Sequence, residues 1–130
     1  MDLITVTREA GLEFSVRVRG HEFRSDMSVA DGGHDAAPSP AELLAGSLGA
    51  CVAMMVQCYC DTHGYTDGEV EVSLTLELAD DPKRVGAIVI DVELPRDVPE
   101  EKKAVIMRVA ERCTIHETLE HCPRVDIEIT

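Results

Sequence analysis

Two of the five cysteines in this 130-residue chain have neighbours that suit thiol chemistry. Cys51 follows a Gly-Ala pair, and such small residues leave room for a ligand beside its sulfur. Cys113 lies next to Arg112 and three residues before His116. A nearby cation stabilises a thiolate and makes a cysteine nucleophilic at neutral pH. A buried cysteine more often acts as a small hydrophobic residue, so these surroundings indicate a nucleophile only in combination with other features.

The other cysteines are weaker candidates. Cys58 and Cys60 are two positions apart, which places them about 200° apart around a helix, so they cannot chelate one ion together and are expected to pack. Four metal-ligand types do follow one another near the end of the chain: Cys113, His116, His121 and Cys122. Their C-x2-H-x4-H-C spacing matches no common zinc pattern. We therefore expect neither a metal nor any other cofactor.

The longest apolar stretch of the sequence must position Cys51. Between residues 41 and 60 every residue except Glu42 is uncharged. Pro40 before an acidic first turn, and then Leu, Ala and Met residues, predict a helix that runs to a stop at Gly64. Such a helix either spans a membrane or lies buried at the centre of a domain. Its many small residues and the lack of flanking Lys or Arg favour a soluble helix, partly covered by a second subunit.

The rest of the chain predicts an α+β fold in the order βββ-α-ββ-α-β. The predicted strands cover residues 3–7, 12–18, 22–26, 69–79, 85–94 and 125–129. In the fourth strand, alternation places Val70, Val72, Leu74, Leu76 and Leu78 on one face. A second helix is expected over residues 102–113, with Asp97 to Glu101 as its cap and Pro99 at its first position, and a short helical turn over residues 114–121.

Composition limits the function further. A length of 130 residues suits one domain over residues 1–130. The net charge of −13 argues against binding to nucleic acid and to anionic membranes, both of which need a basic surface. The odd number of cysteines and the absence of a signal peptide after Met1 indicate a reducing cytoplasm rather than a disulfide framework.

Two motifs resemble those of the OsmC/Ohr family of thiol-dependent peroxidases. They are PSPAELLAGSLGAC, which leads the long helix to Cys51, and RCTIHETL, which contains Cys113. The resemblance implies an intertwined homodimer with antiparallel sheets wrapped around a long central helix. It also implies that Cys51 is the peroxidatic cysteine and Cys113 the resolving one, and that hydroperoxide is reduced through a Cys51 sulfenate and a Cys51–Cys113 disulfide. An external thiol or dithiol would then reset the pair.

The sequence departs from the family pattern at several positions. Ala41 stands where the organic-hydroperoxide branch has a glutamate, and the acid is the next residue, Glu42. Thr114 replaces the proline that often follows the second cysteine. The family's active-site arginine comes from the first strands, where four arginines compete: Arg8, Arg17, Arg19 and Arg24. Arg8 is our positional choice, in the first hairpin turn.

The role of Glu42 stays open at this point. It lies nine residues before Cys51, about 13.5 Å along the helix and on its opposite face. It either orients a cationic partner of the thiolate across the dimer or only stabilises the helix N-terminus. A different class of function is also compatible with the sequence: a non-catalytic dimer of the same fold that binds a small molecule or senses redox state.

Overall fold

Antiparallel strands form two sheets in the computed structural model, which describes residues 2–130. The chain divides into one unit that ends at Ala45 and a second unit, Gly46–Thr130. The first unit contains a sheet in the order β1-β2-β3, and the second contains the pair β4-β5. The strands are β1 (Thr5–Ala10), β2 (Glu13–Val18), β3 (His21–Ser25), β4 (Glu71–Ala79) and β5 (Arg84–Glu93). The α+β class predicted from the sequence is confirmed.

The loop that follows β3 is organised by a buried carboxylate. Asp26 is 1% exposed and accepts hydrogen bonds from the backbone N–H groups of Met27, His34 and Ala36 at 2.8, 3.2 and 3.1 Å. Gly33 lies so close to the carbonyl group of Met27 that a Cβ atom would not fit. The carboxylate thus replaces the backbone partners that a loop lacks, and it fixes the segment that leads to the long helix.

The long helix, α1, covers Pro40–Thr62. Its start at Pro40 agrees with the sequence prediction, and it ends two residues before the predicted stop. Gly64 adopts a left-handed φ of 75°, and Tyr65 donates its N–H to the carbonyl of Cys60 at 2.9 Å, as a helix C-terminal cap requires. By length and composition α1 is able to span a membrane, and 33% of its most apolar window is buried inside the chain. A core helix of a soluble protein meets the same criterion.

One residue that was predicted on the buried face of β4 lies on the other face, because the strand contains a β-bulge. Val72, Leu74 and Leu76 are half-buried, whereas Leu78 is 67% exposed. The register between β4 and β5 shifts between Glu77 and Leu78, and one extra residue reverses the faces that follow it. Since β4 and β5 form a two-stranded sheet, neither strand is central in it.

The hydrophobic core of the second unit forms where α1 meets this sheet and the helix that follows it. The fully buried members are Leu48, Val52, Val56, Cys60, Ile106 and Cys113, and the inward-facing side chains of β4 and β5 pack against them. Gly49 permits this contact, because a Cβ atom there would lie 2.5 Å from Leu74 Cδ1.

The segment between residues 97 and 120 differs from the prediction in two ways. Asp97 does not cap a helix; its carboxylate accepts the N–H groups of Thr66 and Asp67 at 3.0 and 3.1 Å and ties two loops together. The second helix is shorter than predicted: a 3-10 turn covers Glu100–Lys102 and α2 covers Lys103–Glu111. The third helix, α3, covers Thr114–Glu120 and begins at the predicted residue.

The final strand predicted over residues 125–129 is absent from the described chain. Residues 122–130 have no regular secondary structure and are exposed. Val125, Ile127 and Ile129 are 75%, 83% and 95% exposed. Their alternation is that of a strand, but a strand needs a hydrogen-bonded neighbour, and the segment pairs with none within the described residues.

Candidate active site

The fold brings together the two cysteines that the motifs single out. Cys51 lies on α1 and is partly exposed, whereas Cys113 is fully buried at the junction between α2 and α3. Each side chain acts on the pKa of the other, and both are free thiols. Cys51 is therefore the more accessible of the two thiols, while Cys113 is held inside the protein.

The start of α3 presents backbone N–H groups to both sulfurs. The first N–H groups of a helix have no partner within the helix. Burial raises the pKa of Cys51, but hydrogen bonds from the N–H of Ile115, the thiol of Cys113 and the N–H of Thr114 together bring that pKa below its ordinary value. The thiolate of Cys51 is thus stabilised by backbone dipoles and a neighbouring thiol.

Cys113 has the opposite character. Its sulfur caps α3 by accepting the N–H of His116 at 3.2 Å. Burial raises the pKa of Cys113, and the neighbouring Cys51 raises it further, against the lowering effect of the amide hydrogen bonds. The site therefore pairs a sulfur that favours the thiolate with one that favours the thiol, which is the division that an attacking and a resolving cysteine require.

The cationic neighbours of Cys113 act differently from the way their sequence positions suggested. His116 reaches the sulfur through its backbone N–H, not through the charge of its ring. Arg112 is exposed at the end of α2 and is not among the groups that act on the pKa of Cys113. The pKa of Cys113 is raised, so the idea that these cations favour its thiolate is wrong.

Glu42 completes a reciprocal cap at the start of α1. Its carboxylate accepts the backbone N–H of Ser39 at 2.9 Å, and its own N–H is 3.3 Å from the Ser39 hydroxyl oxygen, which accepts it. The hydrogen bonds from the backbone and side chain of Ser39 lower the pKa of Glu42. This S-x-x-E capping box accounts for an acid at this position, and a catalytic supporting role for Glu42 stays a prediction.

Arg8 lies within β1, opposite Phe14, rather than in the hairpin turn. It is exposed. Two of its competitors bind carboxylates of the same sheet: Arg17 pairs with Glu9 and Glu22, and Arg24 with Glu9, Glu13 and Glu22. The supporting role of Arg8 near a thiolate likewise stays a prediction.

The remaining thiols and the metal-ligand types lie outside this pair. Cys60 is buried in the core, and burial together with Asp61 and Asp97 raises its pKa, while Cys58 and Cys122 are exposed. Within residues 2–130, no three His, Cys, Asp or Glu side chains are grouped closely enough to hold a metal ion.

Sequence reasoning missed the backbone donors at Thr114 and Ile115. The available signal was the position of Cys113 directly before a predicted helical turn, since an N-cap residue precedes free N–H groups. Thr114 is also the residue that replaces the family's frequent proline. A proline has no N–H, so this replacement supplies a donor to Cys51 that a proline at the same position would lack.

Comparison with known proteins places this site in a family. A model for "OsmC-like protein" matches residues 32–128, and the chain belongs to that family. A comparison with curated protein sequences gives no match.

Solved structures support the same fold at low sequence identity. A protein of Psychrobacter arcticus 273-4, assigned to osmotic stress and detoxification responses, superposes with a TM-score of 0.82 at 22% identity, covering 91% of this chain and 88% of that chain. The organic hydroperoxide resistance protein OhrB of Bacillus subtilis gives a TM-score of 0.66 at 17% identity, covering 94% and 92%. The organic hydroperoxide resistance protein OsmC of Legionella pneumophila gives 0.64 at 16% identity, covering 92% and 88%. At these identities the likeness establishes the fold.

Proposed function

We propose that this protein is a cysteine-based peroxidase that reduces organic hydroperoxides or hydrogen peroxide. The observation that carries the proposal is the pair of Cys51 and Cys113 at the start of α3. Burial raises the pKa of both thiols, but the amides of α3 and the Cys113 thiol bring the pKa of Cys51 below its ordinary value, whereas the pKa of Cys113 stays raised. The family assignment and the organic hydroperoxide resistance proteins among the structural relatives support it.

The first step is attack of the Cys51 thiolate on the O–O bond of the hydroperoxide. The sulfur gives up two electrons and becomes a sulfenic acid, and the other peroxide oxygen leaves as an alcohol, or as water, after it takes up a proton. The partial exposure of Cys51 gives the peroxide access to the sulfur. The amides of Ile115 and Thr114 lower the pKa of this sulfur and so increase the fraction of thiolate available for attack.

The second step joins the two sulfurs. The Cys113 sulfur attacks the Cys51 sulfenic acid, an S–S bond forms and water leaves. The mutual effect of the two thiols on their pKa values supports this step, because it requires the sulfurs to lie near each other. An external thiol or dithiol then restores both thiols by exchange and becomes a disulfide itself. No cofactor takes part in the proposed cycle.

We also propose that the working form is a homodimer. The exposed apolar side chains of α1, among them Met54 at 71% and Leu44 at 39%, lie on the helix that the sequence places at the centre of the fold. The unpaired segment of residues 122–130 offers a second surface that another copy can cover. Light scattering should report a dimer, and Met54→Glu should shift it toward the monomer because a charge would be buried in the interface. Asp61→Lys, at the exposed end of α1, is the matched surface control.

The reducing cytoplasm is the proposed location. All five cysteines are free thiols in this structure, and the proposed cycle requires a supply of reducing thiols.

Peroxide consumption tests the catalytic proposal. The parent protein with dithiothreitol should consume tert-butyl hydroperoxide or hydrogen peroxide over many turnovers. Cys51→Ser should abolish consumption, and Cys58→Ser, which changes an exposed cysteine on the same helix, should leave it unchanged. Absence of turnover by the parent across a panel of peroxides and reductants would contradict the proposal and favour the non-catalytic binding or sensing alternative.

A further inference from the structure

The side chain of His116 makes contacts that the proposed cycle does not use. Its Nδ1 atom lies 2.7 Å from the carbonyl oxygen of Glu111, the last residue of α2. Its Nε2 atom lies 3.3 Å from the carboxylate of Glu120, one turn further along α3. Since a carbonyl oxygen only accepts hydrogen bonds, Nδ1 carries a proton and donates it.

These contacts surround the junction that contains the resolving cysteine. Glu111 and His116 lie on either side of Cys113, which is the N-cap of α3. The backbone N–H of His116 binds the Cys113 sulfur at 3.2 Å, so one residue holds both the sulfur and the end of the preceding helix. The ring–carbonyl hydrogen bond therefore closes a loop of six residues, Glu111 to His116, and this loop contains the amides of Thr114 and Ile115 that lower the pKa of Cys51.

We propose that His116 is a positioning residue: its Nδ1–H holds the α2–α3 junction so that the N–H groups of Thr114 and Ile115 point at the Cys51 sulfur. This inference deepens the proposed function, because it concerns the same sulfur, but it is a statement about thiolate reactivity and does not require peroxide turnover. The two amides and the thiol of Cys113 are the groups that favour its thiolate.

Three substitutions at position 116 distinguish the role of the Nδ1 atom from that of the Nε2 atom. His116→Asn places an amide N–H near the position of Nδ1 and retains the bond to Glu111. His116→Gln extends its amide toward the position of Nε2 and the Glu120 carboxylate, and His116→Ala removes both contacts. If the proposal is right, His116→Asn keeps the hydrogen bond that holds the α2–α3 junction, whereas His116→Gln and His116→Ala lose it.

Alkylation of Cys51 by iodoacetamide, followed across pH by peptide mass spectrometry, measures the thiolate directly. We expect His116→Ala and His116→Gln to slow alkylation at neutral pH by about threefold to tenfold and to move the pH midpoint upward, since fewer amide hydrogen bonds reach the thiolate. His116→Asn should keep the parent profile. His121→Ala is the matched control, because its Nδ1 is 3.2 Å from the carbonyl oxygen of Glu117 on the same helix, away from the sulfurs.

A merely structural role for His116 would give a different result. In that case all the variants would lower the melting temperature without moving the midpoint, and the positioning proposal would be overturned. An upward shift shared by Asn and Ala would also overturn it, because the Nδ1 donor would then be irrelevant. If His116→Ala does not fold, the comparison of Asn with Gln decides. A midpoint shift in a protein that consumes no peroxide would support the inference and refute only the peroxidase function.

Discussion

Replacement of Thr114 by proline removes one hydrogen bond from the Cys51 sulfur and leaves the local fold intact. Thr114 is the first residue of α3, where proline is tolerated because the first N–H of a helix has no partner within the helix. The preceding residue, Cys113, has φ −63° and ψ 144°, which is the extended conformation that a residue before proline prefers. The substitution therefore changes the donor set of the thiolate and little else.

The size of the effect follows from the three donors at this sulfur. A hydrogen bond to a charged group contributes roughly 1.5–3 kcal/mol. Cys51 is partly exposed and keeps two other donors, so solvent reduces the loss to about 1 kcal/mol. That free energy corresponds to a thiolate population about fivefold smaller at a pH below the thiol pKa.

Alkylation of Cys51 as a function of pH measures this change. We expect Thr114→Pro to react about fivefold more slowly than the parent near neutral pH and to reach the same limiting rate at high pH, where every molecule is a thiolate. Thr114→Ala, which keeps the N–H, is the matched control and should follow the parent. If Thr114→Pro and the parent have the same pH profile, the amide of Thr114 does not stabilise the thiolate and the reasoning fails.

Three further outcomes are expected. Both Cys113→Ser and Cys113→Ala should abolish the intramolecular disulfide, but in urea unfolding Ala should be less stable than Ser by about 1 kcal/mol, because only Ser keeps a cap for α3; equal stability would show that the cap contributes nothing. Gly49→Ala should destabilise the protein by about 1 kcal/mol through contact with Leu74, and Leu74→Val should relieve part of that cost in a double-mutant cycle, so strict additivity would contradict the packing. Hydrogen bonds from Ala36, Met27 and His34 lower the pKa of Asp26 against its burial, so Asp26 stabilises the fold above its unfolded pKa of about 4 and loses this contribution as the pH falls through its lower folded value. The stability gap between the parent and Asp26→Asn should therefore be largest near neutral pH and shrink in acid, and a gap independent of pH would refute this role.

Features that depend on neighbouring residues in the sequence were predictable. The start of α1 follows from Pro40 and the acidic first turn, and its end from Gly64, because helix termini are specified by local residue types. The strands of both hairpins follow from alternation and turn residues in the same way. The strand boundaries differ from the predicted ones by up to three residues, since the ends of strands depend on where pairing stops.

Features that depend on distant partners were not predictable. The β-bulge that exposes Leu78 is a property of the pairing between β4 and β5, and alternation alone cannot reveal it. The segment of residues 125–129 has the alternation of a strand, but without a neighbouring strand it cannot form the ladder. A local pattern therefore overestimates strand content wherever no second strand pairs with the segment.

The candidate site also has a part that the sequence predicts and a part that it does not. The motifs identified Cys51 and Cys113, but not the source of the thiolate stabilisation, which the sequence suggested to be a cation. In the structure the stabilising groups are backbone amides of Thr114 and Ile115, which every residue type except proline carries. Their function comes from their position at the start of α3 and cannot be inferred from side-chain identity.

The most direct test of the proposed mechanism is the product of a single turnover. The reduced protein, freed of dithiothreitol, should consume one equivalent of tert-butyl hydroperoxide per chain, and peptide mapping should then show a disulfide that joins Cys51 to Cys113. Cys51→Ser should consume none, and Cys113→Ser should stop at the Cys51 sulfenic acid, which dimedone traps. Unchanged thiols after exposure to peroxide, or a disulfide that excludes Cys51, would contradict the mechanism.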